Sequence, residues 1–176
     1  MNLYLLRHAS AGKRLLNSQL DLKRPLDKEG KAHCLLLGGV LNTLKVQVDC
    51  VVSSPLKRAL QTASLVGTEI GYEQQILIRP ALLPAGSVKE FLALVEEFSS
   101  LENVLFVGHN PSLTQNLRAL LCSSAQIDPI RLRKGAIAKL DMSRRSGRLQ
   151  WLFDPKLVRS IQSSVTVSLR PKTSRK

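Results

Sequence analysis

Three short apolar runs constrain this chain more than any other feature. Residues 2–6, 49–52 and 103–107 are rich in Leu and Val, and each gives way to a polar or glycine-bearing segment and then a helix-length pattern. Too short for core helices and without strict alternation, such runs predict strands buried on both faces, the situation of a parallel sheet.

The intervening segments read as helices. Asp27 is placed to cap one running to about Lys45, with Leu35, Leu36, Val40, Leu41 and Leu44 on its inner side. Gly38-Gly39 interrupts it, either as a weak point or as a place where another backbone comes close. Ser54-Pro55 predicts an N-cap and a first-position proline for the next helix, with Leu56, Ala59, Leu60, Ala63 and Val66 as its apolar face. Residues 76–78 read as a short strand. Ser87-x-x-Glu90 has capping-box spacing and opens a helix to Phe98. Asn110 can cap, and Pro111 start, a helix carrying Leu113, Leu117 and Leu120. Residues 135–141 and 148–153 alternate enough for two late strands, with a turn near Ser146-Gly147. This order predicts an α/β domain, a three-layer sandwich around a mostly parallel central sheet.

With 176 residues the chain suits one domain. We assign residues 1–163 to it and residues 164–176 to a basic, solvated tail. No acidic residue follows Asp154, whereas Lys156, Arg159, Arg170, Lys172, Arg175 and Lys176 do. The formal net charge is +13, which draws anions: nucleic acid, acidic membrane or phosphorylated substrate. The basic residues lack interleaved aromatics and no helix-turn-helix, RNP or zinc-finger spacing is evident, so nucleic acid is the weaker reading. Cys34, Cys50 and Cys122 are odd in number, far apart and set among apolar neighbours, which argues for reduced buried thiols rather than a metal site. No metal and no cofactor are expected. The first residues lack a signal-peptide core and no run has the length of a membrane span, so the expectation is a soluble cytoplasmic protein without membrane partners.

In open parallel sheets, ligands bind outside the carboxyl ends of the strands. Arg7-His8, Ser53-Ser54-Pro55 and Gly108-His109 all fall at such ends. Lys57 and Arg58 occupy the first turn of the second helix, where cations oppose the macrodipole. That placement makes sense around an anion, although a solvated basic turn is the plain alternative. A lone His109 at a strand end is compatible with a structural role, and an Arg-His pair alone is weak evidence. His33 matches no motif and reads as a partly exposed helix residue.

Taken in order, Leu5-Leu6-Arg7-His8-Ala9, Arg24-Pro25-Leu26, Val52-Ser53-Ser54-Pro55-x-x-Arg58-Ala59-x-Gln61-Thr62 and Val107-Gly108-His109-Asn110-Pro111 closely resemble the histidine phosphatase superfamily, with its phosphoglycerate-mutase-like fold. The short chain, Arg-Pro-Leu and Gly-His-Asn-Pro are most similar to its SixA-type phosphohistidine phosphatase branch. The resemblance spans residues 1–154. It implies that His8 is a nucleophile that becomes transiently phosphorylated, without metal, and that Arg7, Arg58 and His109 bind the phosphoryl oxygens. Arg24 would be a further phosphate or substrate contact, while Asn110 and Ser54 are read as helix caps. The implied partner is a protein bearing phosphohistidine or a small phosphorylated substrate.

One position departs from the family pattern. Many members carry a glutamate after the middle strand that protonates the leaving oxygen, and Ala81 stands where it is expected. Glu90 is the nearest carboxylate in sequence, and its capping-box spacing accounts for it. General acid catalysis is worth about 10²–10⁴-fold, so a chain lacking the acid is expected to prefer labile phosphoryl groups such as phosphohistidine. The rivals are a phosphatase of small activated phosphates, a mutase-like phosphoryl transferase, and a binding protein without turnover.

Overall fold

A computed structural model describes residues 1–121, 130–143 and 146–160. The strands are β1 (Asn2–Arg7), β2 (Cys50–Ser53), β3 (Leu77–Ile78), β4 (Asn103–Gly108), β5 (Ile137–Asp141) and β6 (Arg148–Phe153). They form one sheet in the order β3-β2-β4-β1-β5-β6. β1, β2, β3 and β4 pair in parallel, whereas β5 runs antiparallel to β1 and β6 antiparallel to β5.

Helices cover both faces: α1 (Ser18–Leu22), α2 (Lys28–Thr43), α3 (Lys57–Glu69), α4 (Val88–Glu97) and α5 (Ser112–Leu121). A short 3-10 helix, Pro80–Leu82, precedes α4. Side chains of a strand alternate between faces, and the core divides accordingly. Leu3 and Leu5 of β1 join Val104 and Phe106 of β4 under α4 and α5. Tyr4 and Leu6 join Leu105 and Val107 against α2 and α3. The three-layer α/β sandwich expected from the sequence is therefore the fold.

The capping box of α4 forms as its spacing predicts, with Ser87 and Glu90 satisfying each other's backbone. Asp27 caps α2 by accepting from Gly30 N at 2.7 Å. The inner face of α2 differs from expectation. Its buried residues are Gly30, His33, Cys34, Leu37, Gly38 and Leu41, while Leu35 and Leu44 are about half exposed (48% and 50%). Small residues set this face because α3 packs closely, and a Cβ on Gly38 would run into the Glu69 side chain. His33 is buried rather than partly exposed, since it lies on that face. The helix at Ser54-Pro55 also starts later: α3 begins at Lys57, with Leu56 in the N-cap position and no side-chain cap.

Cys34 and Cys50 are buried free thiols, and burial pushes Cys34 up to about 12. Cys122, the Arg144–Arg145 part of the β5–β6 connection and the basic tail at 164–176 lie outside the described residues. Among the described residues no helix is long and apolar enough to cross a membrane.

Candidate active site

The register of the sheet brings three chain segments to one point. Arg7, the last residue of β1, lies beside Gly108, the last of β4, and Ser53 of β2 lies beside Val107. The next residue of each strand continues the pattern: His8 N donates to Gly108 O and Ser54 N to Val107 O, both at 3.0 Å. His8, Ser54 and His109 therefore leave the sheet together at its carboxyl end, where the imidazole centroids of His8 and His109 stand 4.8 Å apart.

His8 and His109 line a cleft of about 620 Å³ together with Arg7, Arg24 and Arg58. Each residue expected at the site is thus at the same cleft. Arg58 is buried, whereas its neighbour Lys57 is exposed. The chain around the cleft is held by short bonds. Thr62 Oγ1 accepts from Ala9 N at 3.1 Å and donates to Arg58 O at 2.7 Å. Asp27 accepts from Ser10 Oγ and Gly12 N, each at 2.7 Å, which ties the segment after His8 to α2.

His8 Nδ1 lies 2.8 Å from Ala9 O. A carbonyl oxygen only accepts, so Nδ1 carries the hydrogen and Nε2 keeps its lone pair. Burial lowers the His8 pKa to about 3, aided by Arg58, Arg7 and Lys134 against the opposing pull of the Ala9 carbonyl. Burial, with His8, Arg58 and Arg7 beside it, lowers His109 to about 2. Both rings are therefore neutral near pH 7.

The cations are anchored on one side and unpaired on the other. Arg7 Nη1 donates to Leu132 O at 2.8 Å, and Arg58 Nη1 to Asp21 O at 3.0 Å. Arg7 Nε, Arg58 Nε and His109 Nδ1 are buried without a hydrogen-bond partner. Buried polar atoms seldom lack partners, and each such atom costs about 1–3 kcal/mol. Three of them on residues that line one cleft suit an anionic ligand with several acceptor oxygens. Among the described residues no group of His, Cys, Asp or Glu is placed to hold a metal ion.

Arg24 is more committed than a free ligand contact. Its Nε pairs with Asp21 Oδ1 at 2.8 Å and its Nη1 donates to Ala11 O and Gly12 O. Neither presumed cap serves as one. Ser54 Oγ lies 2.8 Å from His109 Nε2, and Asn110 Nδ2 donates to Leu132 O at 3.0 Å while Thr114 Oγ1 donates to Asn110 Oδ1. Sequence reasoning missed Asp21 and Lys134, which also line the cleft. Both come from segments outside the strand-end pattern, so no spacing marks them. Ala81 lies in the 3-10 helix and packs against the core, and the adjacent cleft wall is Leu83, Pro84 and Ala85.

Known proteins resemble this chain in sequence and in fold. A family model described as the histidine phosphatase superfamily (branch 1) matches residues 3–83. An uncharacterized protein of Picosynechococcus sp. is 33% identical over 123 residues, 68% of this chain and 73% of its own length. The phosphohistidine phosphatase SixA of Escherichia coli is 28% identical over 158 residues, 88% of this chain and 94% of that relative. A solved structure of the protein histidine phosphatase SixA complexed with tungstate has a TM-score of 0.80 and 27% identity, covering 90% of this chain and 99% of that one.

Proposed function

The chain belongs to the histidine phosphatase superfamily, on its SixA-type side, and from that premise we propose that it hydrolyses phosphohistidine on a protein through a covalent intermediate on His8. The supporting observation is the set of unpartnered buried atoms, Arg7 Nε, Arg58 Nε and His109 Nδ1, at the cleft that holds the neutral His8 ring. A tetrahedral oxyanion bound to the SixA neighbour is in keeping with such a cleft.

In this reading the His8 Nε2 lone pair attacks phosphorus and the bond from phosphorus to the substrate nitrogen breaks. The departing imidazole takes a proton from solvent. The phosphorylated His8 ring carries positive charge, which the Ala9 carbonyl on Nδ1–H stabilises. Water then attacks the same phosphorus, releasing inorganic phosphate and restoring neutral His8. Arg7, Arg58 and His109 hold the equatorial oxygens, where charge spreads in the transition state. Arg24 orders the 11–24 segment over the cleft and adds positive charge to it.

The substrate class follows from what lines the cleft. Its one carboxylate among the described residues is Asp21, which the Leu15 N–H and the Arg24 guanidinium hold below the usual carboxylate range. An ionised Asp21 has no proton to give an alkoxide, so phosphorus–nitrogen bonds are favoured over serine or sugar phosphates. The decisive experiment incubates wild type and His8→Ala with a phosphohistidine-bearing carrier protein and follows loss of the phosphoryl group. Wild type is expected to exceed the variant by at least ~10³-fold. Equal rates overturn the mechanism, and comparable wild-type turnover of an alkyl phosphate overturns the substrate class.

A further inference from the structure

A second cleft, of about 450 Å³, adjoins the one around His8 and shares Arg7 and Lys134 with it. Its other cations are Arg131, Arg133, Lys156 and Arg159, all exposed. Among the described residues two carboxylates line it, and both are engaged: Glu29 with Arg159 at 3.2 Å and Asp154 with Arg133 at 3.5 Å. Arg131, Lys134 and Lys156 add charge that those carboxylates leave uncompensated. His33 also lines this cleft, buried, with both ring nitrogens lacking a hydrogen-bond partner.

We infer that this groove is a docking surface for acidic side chains flanking the phosphohistidine of a protein substrate. The inference rests on the phosphohistidine reading and adds how the partner is recognised. A protein that inserts a phosphohistidine beside Arg7 must lay its neighbouring surface over the groove that also begins at Arg7. Six cations facing two paired carboxylates attract an acidic surface and repel a basic one. Among the described residues no Phe, Tyr or Trp lines the groove, so it lacks the large stacking platforms typical of nucleic-acid sites. Leu22, exposed on the segment that carries Arg24, adds apolar area to the lining of the His8 cleft, which suits a protein surface better than a small metabolite.

The test compares two substrates, phosphoramidate and a phosphohistidine-bearing carrier protein with acidic residues around its histidine. A second carrier has those acids changed to glutamine. The variant is Lys156→Glu/Arg159→Ser, neither residue lining the cleft around His8. Lys89→Glu/Arg118→Ser, on α4 and α5 over the opposite face of the sheet, makes the same change in net charge. The groove variant is expected to lose ~10-fold or more in kcat/KM on the acidic carrier. It should match wild type within about twofold on phosphoramidate, and its deficit should shrink on the glutamine carrier, with the matched control unaffected.

Equal turnover of the acidic carrier by wild type and groove variant overturns the docking surface while leaving the phosphatase reading intact. Parallel losses on phosphoramidate and carrier also overturn it, because the variant then damages the fold. Duplex DNA binding that the groove variant abolishes, with carrier turnover unchanged, reassigns the groove to nucleic acid. A wild type inert toward both phosphoramidate and carrier overturns the function on which the inference rests.

Discussion

Ser54 Oγ lies 2.8 Å from Nε2 of His109, so the residue after β2 orients the imidazole that follows β4. Its claim as a helix cap is slight, since Leu56 N reaches it only at 3.4 Å. With Nε2 occupied by the hydroxyl, Nδ1 is the unpartnered ring nitrogen, the one the proposed mechanism assigns to a phosphoryl oxygen. Ser54→Ala removes the partner of a buried nitrogen, a loss of about 1–3 kcal/mol. If that loss falls on the transition state, kcat drops about tenfold to hundredfold, and Ser54→Thr, which keeps the hydroxyl, restores most of it. Unchanged kcat in the alanine variant would show that His109 needs no such orientation.

Asp21 holds two arginines at once. Its Oδ1 is 2.8 Å from Arg24 Nε, its Oδ2 3.6 Å from Arg58 Nη1, and its backbone carbonyl accepts from Arg58. Asp21→Asn keeps the shape and removes the charge, so both guanidinium groups are held less firmly. The expected result is a KM for phosphoramidate raised about five- to tenfold with kcat little changed, as for a group that positions rather than donates a proton. A kcat loss beyond ~10²-fold, within the range of general acid catalysis, would instead make Asp21 the missing acid.

The depressed histidines link stability to pH with a definite sign. His8 falls from 6.5 to about 3 and His109 from 6.5 to about 2, burial being the main cause in both. Below pH 6.5 the unfolded chain takes up protons that the folded chain refuses. Their contribution to stability is therefore fully present above 6.5 and lost progressively as pH falls toward the folded values. Thermal melts from pH 7 to pH 4 should show a steeper fall in Tm for wild type than for His8→Ala/His109→Ala. Parallel slopes would mean that these rings are not the groups titrating.

Two glycines of α2 predict opposite outcomes. A Cβ at Gly30 would run into the Ser10 carbonyl, two residues beyond His8, whereas a Cβ at Gly39 meets nothing within 4 Å. Gly30→Ala should cost about 1–3 kcal/mol through overpacking and lower kcat/KM by shifting the chain after His8. Gly39→Ala should stabilise by about 0.5–1 kcal/mol and leave activity alone. Denaturant melts of both variants decide the matter, and a stabilising Gly30→Ala would refute the packing described here.

How far the sequence was readable depended on where the information sat. β1, β2 and β4 were legible because both faces of each are apolar, and α4 because its capping box is a local device. Arg7, His8, Arg58 and His109 could be placed at one cleft because each stands at or next to the end of a buried strand or the start of the helix that follows. The α2 face was misread because leucines dominate its sequence, while the contact with α3 is set by Gly38 and Cys34. The five-residue α1 went unnoticed because it buries no leucine: Leu20 and Leu22 are exposed. Ser54 was misassigned because Ser-Pro normally announces a helix, and only the neighbouring strand shows that its hydroxyl faces an imidazole.

β1 has a strand on either side, β4 and β5, and its backbone amides are protected by both. The segment from Gly12 to Arg24 is different, leaning on a few side-chain bonds with Leu15, Leu16, Leu20 and Leu22 exposed. Amide hydrogens of Leu3 to Leu6 should exchange with solvent only when the whole molecule unfolds, while those of the 12–24 segment exchange through low-energy local opening. On the proposed mechanism the nucleophile is therefore expected to follow the slowest-exchanging strand of the molecule, and the wall that carries Asp21 and Arg24 to be the part that opens at least cost.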